Sequence, residues 1–341
     1  MCMTTDAVAM PSKLSPTSMS DFRRCPKLFE FKYIQRITSP PSVATTAGNL
    51  VHLVLERLFD LPPDLRTPQL ADNMIEPAFA VMLSPFEVMS NLMPEIEVAI
   101  REPSGLFEGS ALEQWEVDRA RSSADGWLEL APEGTQERAQ ILTKAHEAIA
   151  TYFDVERPAN FDPEDRELHI EATIGDALVH GYIDRLDRYL IGDDEERWVI
   201  SDYKTSKPPS TSQRSNAFFL EKILPERLFA MRVYALLLSE SIDVTPHSIR
   251  LIYLGPSDAA DAEAFPAAEG RPPLNRCNVI GEVISDAILD DTRQEVVTIH
   301  TQIRRAVERN DWPATTNKLC DWCNFKDSAE HPCPAFASTT R

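Results

Sequence analysis

The sequence predicts an α/β fold in which a strand core carries a helical insertion. After Pro158, three short segments rich in β-branched and aromatic residues follow one another, and their separators, "GDA" and "GDDEE", are typical of hairpin turns. Between residues 69 and 155 the patterning is mainly helical and is divided by prolines. We therefore expect an antiparallel three-stranded meander flanked by helices.

Two helical signals precede the insertion. The segment "SPTSMSDFRRCPKLFEFKYI" begins with capping residues and predicts a short helix or a helix pair broken near Pro26. The segment "AGNLVHLVLERLFD" predicts an amphipathic helix, because Val51, Leu55 and Leu58 form one apolar stripe. His52 lies on the adjacent stripe of that helix.

The predicted core elements follow in a simple order. The meander consists of "ELHIEATI", "LVHGYIDRLDRYL" and "RWVISDYKT". Next come a helix pair, or one helix interrupted at Pro225, and the strand "HSIRLIYLG". A flexible loop, "DAADAEAFPAAEGRPPLN", a further strand in "RCNVIGEVI" and a last helix from about Asp290 to Arg309 complete the chain.

This order predicts four parts. We expect N-terminal helices over residues 1–60, a helical insertion over 61–157, the main core over 158–288, and a C-terminal helix with a cysteine cluster over 289–341.

Charge and hydropathy limit the function classes. A formal charge of −20 argues against broad adhesion to nucleic acid but leaves room for a local basic groove, such as the segment "DFRRCPKLFEFKYIQR". Neither a bilayer-spanning apolar stretch nor a secretory leader is evident, so we expect a cytoplasmic protein without membrane contact. No phosphate-loop motif occurs, so any helicase motor would belong to a partner.

Charged residues within the predicted strands indicate a metal site. Asp202 and Lys204 are two apart and share one strand face, and Asp184 lies in the preceding strand, within about 5–8 Å across a hairpin. Two buried carboxylates need a cation between them, and oxygen ligands suit Mg²⁺ or Mn²⁺. A nitrogen ligand from His52 would favour Mn²⁺, and Lys204 would then orient the attacking water.

Ordinary structural readings compete with this site. Asp202 and Lys204 would then form a solvated edge pair, contributing only about 0–1 kcal/mol. Asp184 would form a surface pair with Arg185 or Arg188, and Asp187 is expected to be in such a pair or to cap a nearby group. His52 would be a core histidine.

Three motifs carry a family resemblance. "GNLVH", "GYIDRLD" and "DYKT" resemble, in order, the motifs G-x-x-x-H, G-x-x-D-R-x-D and D-Y-K-T of the RecB-like branch of the PD-(D/E)XK nucleases. The resemblance implies a restriction-endonuclease-like core. It also implies that His52, Asp184 and Asp202 hold the metal, and that Lys204 is the catalytic lysine. Glu171 matches an acidic position with a supporting role.

One family motif is incomplete. The usual Q-x-x-x-Y, which implies a DNA contact, is matched at Tyr234, but Ala230 occupies the glutamine position. Arg232 or Arg227 is expected to supply the polar contact instead.

Three cysteines near the C-terminus indicate a second metal centre. Cys320, Cys323 and Cys333 form C-x₂-C-x₉-C, and Cys25 is the best candidate for a fourth ligand. The spacing permits structural zinc. The iron–sulfur members of the RecB-like group, which include AddB and nucleases of CRISPR adaptation, have one N-terminal and three C-terminal cysteines. That resemblance implies a [4Fe–4S] cluster, with zinc as the alternative.

The remaining candidates near this centre have other expected roles. His331 is a possible substitute for Cys333, because the x₉ interval is longer than usual in the family. Cys2 and Cys277 are expected to be free thiols.

Together these features predict a Mg²⁺- or Mn²⁺-dependent deoxyribonuclease. The expected activity is exonuclease cleavage of single-stranded DNA or DNA ends in repair or recombination, and the expected partner is a helicase or repair protein. The alternative is a non-catalytic DNA-binding or scaffold subunit of a helicase–nuclease assembly with a structural metal cluster. The intact Asp184–Asp202–Lys204 set favours the enzyme.

Overall fold

A five-stranded mixed sheet in the order β1–β2–β3–β4–β5 forms the centre of the molecule. The computed structural model describes residues 9–39, 41–83, 131–191, 195–210, 217, 220–221, 224–257 and 278–336. Neighbouring strands are antiparallel except β3 and β4, which are parallel. The strands are β1 Asp165–Ile174, β2 Ala177–Ile191, β3 Glu195–Lys204, β4 Ser248–Tyr253 and β5 Val279–Val283. The predicted meander and the later strands are confirmed.

The first hairpin turn has the predicted chemistry. Ile174 pairs with Ala177, and Gly175 between them has φ of +62°, a left-handed value that glycine adopts without steric cost. A Cβ at Gly175 would also approach Val297 Cγ2 to 2.9 Å, so glycine lets the turn pack against the last helix. In the second turn, residues 192–194 lie outside the described part of the chain.

Eight α-helices surround the sheet in the described part of the chain. Ser15 caps the first helix through its side chain, as the sequence pattern predicts, and Ser42 caps the third in the same way, one turn before the predicted start of that helix. The last helix begins one turn before the expected Asp290, because Ser285 supplies the cap. The helices are α1 Pro16–Arg24, α2 Pro26–Phe29, α3 Val43–Leu58, α4 Pro68–Asn73, α5 Ile75–Leu83, α6 Gln136–Val155, α7 Leu224–Ile242 and α8 Asp286–Arg309.

Two apolar layers cover the two faces of the sheet. On one face, Ile200 of β3 packs in a core with Leu236 of α7 and Ile299 of α8. On the other face, Ile252 of β4 packs in a core with Leu55 of α3, together with side chains of α5 and α6. Strand β3 thus lies between the layers, and its residues can connect a site on one face to contacts on the other.

The predicted insertion is helical where it is described. Helices α4, α5 and α6 pack around α3, while residues 84–130 lie outside the described part. The predicted loop over 258–275 also falls outside it, and the domain boundaries after residues 60, 157 and 288 stay predictions. No helix among the described residues is long and apolar enough to cross a membrane.

Candidate active site

The three motifs meet where the β2–β3 ladder ends. The last pair of that ladder is Arg185 with Ser201. Asp184 on β2 and Asp202 on β3 are the first residues beyond this pair. Helix α3 brings His52 to the same place, because its Nε2 lies 3.1 Å from the Tyr203 carbonyl oxygen. The chain therefore brings His52, Asp184, Asp202 and Lys204 together at one end of β3.

His52 faces carboxylates with its other ring nitrogen. Its Nδ1 lies 3.5 Å from Asp184 Oδ2 and 3.7 Å from Glu167 Oε1. Since the Tyr203 carbonyl can only accept, Nε2 donates the hydrogen, which leaves Nδ1 toward the carboxylates. Burial opposes protonation of His52, but Asp184 and Glu167 outweigh it and raise its pKa to about 9.

Asp184 is held by the backbone of the neighbouring strand. The Tyr203 N–H donates to Asp184 Oδ2 at 2.8 Å, in place of a further ladder bond between β2 and β3. Burial, and then the negative charge of Asp202, raise the pKa of Asp184 to about 7. Clustered acidic groups with perturbed pKa values are typical of a metal or catalytic site.

Regular alternation along β2 breaks beside Asp184. Ile183 and Leu186 pack in the same core, although residues three apart on a regular strand point to opposite faces. On β1, Glu167 falls between the ladder pairs Arg166–Arg185 and Leu168–Ile183, and it has φ of +46°, which is strained for a residue with a side chain. The meeting of the two aspartates therefore depends on this irregularity as well as on hairpin spacing.

Glu167 is the site residue that sequence reasoning missed. Its carboxylate, His52 and Asp184 form a group whose ligand atoms all lie within 4.8 Å of one another. Pair-by-pair counting from Ile174 and Ala177 at the hairpin turn would have placed Glu167 opposite Asp184. The residue singled out instead, Glu171, forms an ion pair with Lys13 at 2.7 Å.

Lys204 and Asp202 form an ion pair on one strand face, as their spacing predicts. Burial alone would lower the pKa of Lys204, but the Asp202 carboxylate outweighs it and raises that pKa. The Lys204 side chain is still 44% exposed, so the ammonium group stays within reach of a substrate phosphate. The lysine is therefore cationic at neutral pH and accessible.

The residues proposed for DNA contact have other partners. Tyr234 packs on Gly181, where a Cβ would come within 2.5 Å of its ring. Arg232 forms two hydrogen bonds of 2.6 Å with Glu282. Arg227 donates to the Tyr253 hydroxyl at 2.7 Å. Neither arginine is therefore free to replace a glutamine at the position of Ala230 without first breaking an existing contact.

Arg185 and Asp187 are buried, which contradicts the surface-pair interpretation. Each is 1% exposed, and Arg185 Nε lies 3.0 Å from Asp187 Oδ1. Asp187 also accepts from Arg250 at 2.6 Å. These charged residues of "GYIDRLD" point into the interior because the break in alternation turns Arg185 toward Tyr203 rather than toward solvent.

The four cysteines expected to bind a cluster surround one cleft of about 240 Å³. Cys25 lies at the start of α2, and Cys320 and Cys323 lie in and after the 3₁₀ turn Lys318–Trp322. Burial, together with the neighbouring thiols, raises the pKa of Cys333, and a hydrogen bond from the Ala335 backbone opposes this rise. The chain therefore brings all four thiols to one place, while Cys2 and Cys277 lie outside the described part.

The basic N-terminal segment is largely neutralised. Arg23 pairs with Glu226 and Glu295, and Lys32 pairs with Asp21. A strongly positive groove is therefore not formed by these side chains.

A family comparison agrees with the fold. The family model of the PD-(D/E)XK nuclease superfamily matches residues 13–328. The chain therefore belongs to the PD-(D/E)XK nuclease superfamily.

Other comparisons are more distant. No curated protein matches the sequence. A solved structure of a "Putative exonuclease" from Eubacterium rectale is 12% identical and covers 100% of this chain and 99% of its own, with a TM-score of 0.46. At that TM-score the likeness carries no weight for fold or activity.

Proposed function

We propose that the chain is a metal-dependent deoxyribonuclease of the RecB-like branch that hydrolyses phosphodiester bonds. The observation that carries the proposal is the accessible Lys204–Asp202 ion pair beside the His52, Glu167 and Asp184 cluster. A degraded site in a binding-only subunit would not need both the lysine and the clustered acids.

The donor set fits a hard divalent ion. Two carboxylate oxygens and one imidazole nitrogen converge within 4.8 Å of one another, and the nitrogen favours Mn²⁺ over Mg²⁺. The raised pKa of Asp184 has burial and then repulsion from Asp202 as its causes, and a cation would relieve both. His52, Glu167 and Asp184 would hold the ion, and Asp202, the third ligand that the family resemblance implies, would complete the set. A bound ion supplies Lewis-acid stabilisation of phosphoryl oxygens and activation of the attacking water.

The protein groups have separate tasks in the reaction. Lys204 presents a cation that orients the nucleophile and stabilises negative charge on the phosphoryl group. Asp202 holds the Lys204 ammonium group in place. The Tyr203 backbone fixes Asp184 through its N–H and His52 through its carbonyl.

We assign single-stranded DNA or DNA ends as the substrate. Tyr182 is 40% exposed and lies two residues from Asp184, about 7 Å along the strand. The ring of His169 lies 4.9 Å from that of Tyr182. Aromatic rings beside an active site suit unpaired bases, which stack without sequence preference.

The thiol cleft would hold an iron–sulfur cluster, with zinc as the alternative. Cys25, Cys320, Cys323 and Cys333 line one cleft, and the family resemblance implies the cluster. Four thiolates are a ligand set that either centre takes. Cys333 lines the cleft, and His331 is not among its described lining residues.

DNA repair or recombination, a helicase partner and a cytoplasmic location stay predictions.

A digestion assay tests the proposed activity. Wild type, Lys204→Ala and Asp202→Ala would be incubated with Mn²⁺ and end-labelled linear single strands, circular single strands and duplex DNA. We expect wild type to degrade linear single strands, and both substitutions to abolish cleavage. Lys144→Ala, an exposed lysine on α6, is the matched control and should cut normally.

The same assay separates the alternatives. Cleavage that survives both active-site substitutions would overturn the assigned site. DNA binding without cleavage by wild type would favour the scaffold function. Digestion of circles would indicate endonuclease action, and an unchanged strand preference in Tyr182→Ala would remove the stacking argument.

A further inference from the structure

A buried polar network lies under the site, on the opposite side of Tyr203. Arg185 is 1% exposed, and its guanidinium donates to both carboxylate oxygens of Glu156, at 2.6 and 2.8 Å. It also contacts Asp187 at 3.0 Å and donates to the Tyr203 hydroxyl. The network thus ends on a residue of the "DYKT" motif itself.

Such a network is a poor way to gain stability alone. Removing a guanidinium and two carboxylates from water costs several kcal/mol per ion, which their pairing offsets only with good geometry. Here Glu156, Asp187 and the Tyr203 hydroxyl all contact the Arg185 guanidinium directly. Glu156 is the C-terminal cap residue of α6. A buried hydrogen-bonded network of this kind fixes the position of what it contacts.

Tyr203 connects this network to the residues of the candidate metal site. Its N–H donates to Asp184 Oδ2 at 2.8 Å, and its carbonyl oxygen lies 3.1 Å from His52 Nε2. Its chain neighbours are Asp202 and Lys204. One residue therefore contacts or adjoins every member of the predicted catalytic set.

On the β2 side, backbone pairing between the strands does not fix the position of Tyr203. Pairing between β2 and β3 ends at Arg185 and Ser201, two residues before Tyr203. On the other side, Tyr203 pairs with Ile252 of β4. On the β2 side, where this pairing is absent, the contact between the Tyr203 hydroxyl and Arg185 holds Tyr203 in place.

We infer that Arg185 and the Tyr203 hydroxyl form a positioning device that sets the geometry of Asp184 and His52 for metal binding. Its kinetic consequence rests on the proposed nuclease function, whereas its effect on metal binding does not. Partners one layer behind metal ligands typically control affinity or activity by 10–100-fold.

The test uses the full-length chain and the conservative substitution Tyr203→Phe, which removes only the hydroxyl. Free Mn²⁺ would be titrated by electron paramagnetic resonance, and kcat and KM would be measured on single-stranded DNA. We expect the Mn²⁺ dissociation constant to rise about tenfold or more and kcat to fall, with KM for DNA unchanged.

Tyr189→Phe is the matched control. The Tyr189 hydroxyl lies 3.4 Å from Asp187 and 3.2 Å from Arg250, at the edge of the same network and away from Tyr203. It should leave Mn²⁺ binding at the wild-type value. Equal unfolding midpoints for the two variants would separate positioning from general loosening.

The outcomes are distinct. Wild-type Mn²⁺ affinity in Tyr203→Phe overturns the inference, and so does equal weakening in Tyr189→Phe. Weakened Mn²⁺ binding in Tyr203→Phe alone supports it. If that result is found while wild type does not cleave DNA, the positioning device stands and the proposed nuclease function fails.

Discussion

Glu167 offers a sharp test of whether the site stores backbone strain. Its φ of +46° falls within strand β1, where L residues other than glycine are disfavoured. We compare Glu167→Gly with Glu167→Ala. Both substitutions remove the carboxylate, so the difference between them isolates the backbone conformation.

The expected magnitude follows from the dihedral angle. A left-handed residue with a Cβ costs roughly 1–2 kcal/mol, and glycine avoids this cost. Within a regular strand the order is reversed, because glycine is less stable than alanine by about 0.5–1 kcal/mol. We therefore expect the free energy of unfolding of Glu167→Gly to exceed that of Glu167→Ala by about 1 kcal/mol.

Urea unfolding in the presence of a chelator measures this difference without a contribution from bound metal. With a denaturant slope of about 3 kcal/mol/M, the midpoint of the glycine variant should be higher by about 0.3 M. Glu171, on the same strand with an ordinary φ, is the matched control position, where alanine should be the more stable. A higher midpoint for Glu167→Ala than for Glu167→Gly would refute the reasoning.

Three further outcomes are expected. Mn²⁺ affinity should rise as pH increases through about 7 and about 9, the pKa values of Asp184 and His52, because both ligands must lose a proton to bind; calorimetry in two buffers would detect the released protons. Gly181→Ala should lower the free energy of unfolding by about 1–3 kcal/mol, measured in urea, because its Cβ would overlap the Tyr234 ring. Cys323→Ser should lose stoichiometric iron and the visible absorbance of the cluster, measured by elemental analysis and spectroscopy.

For each of these three predictions, one result would contradict it. An Mn²⁺ affinity independent of pH would show that neither Asp184 nor His52 binds the ion. Wild-type stability in Gly181→Ala would mean that Tyr234 does not pack as described. For the cysteine, Cys277→Ser is the control and should keep its iron; a colourless wild type with stoichiometric zinc would remove the iron–sulfur proposal.

Local pattern was enough to predict the elements and the order of the motifs. Strand periodicity and turn residues predicted the meander, and the two-residue spacing of Asp202 and Lys204 placed them on one face. The amphipathic helix carrying His52 followed from apolar spacing alone. These properties are local, since each depends on residues within a few positions of one another.

Contacts between distant segments could not be predicted in this way. Glu167 lies near His52 because its backbone takes a left-handed conformation within β1. Strand periodicity assumes regular extended backbone and does not predict such a residue. Glu156 lies 29 positions from Arg185 in the chain, and the pairing exists only because the end of α6 packs beneath the sheet.

The sequence by itself determined the class of fold and the order of the helices and strands. It also determined the candidate site residues His52, Asp184, Asp202 and Lys204, because motif spacing and residue chemistry are properties of the sequence. The tertiary structure decided that Asp187 and Arg185 are buried and that Arg232 is paired with Glu282. It also decided that the Tyr203 backbone contacts Asp184 and His52 while its hydroxyl contacts Arg185. Burial and charge pairing depend on what packs across space, and the chain has to fold before those neighbours exist.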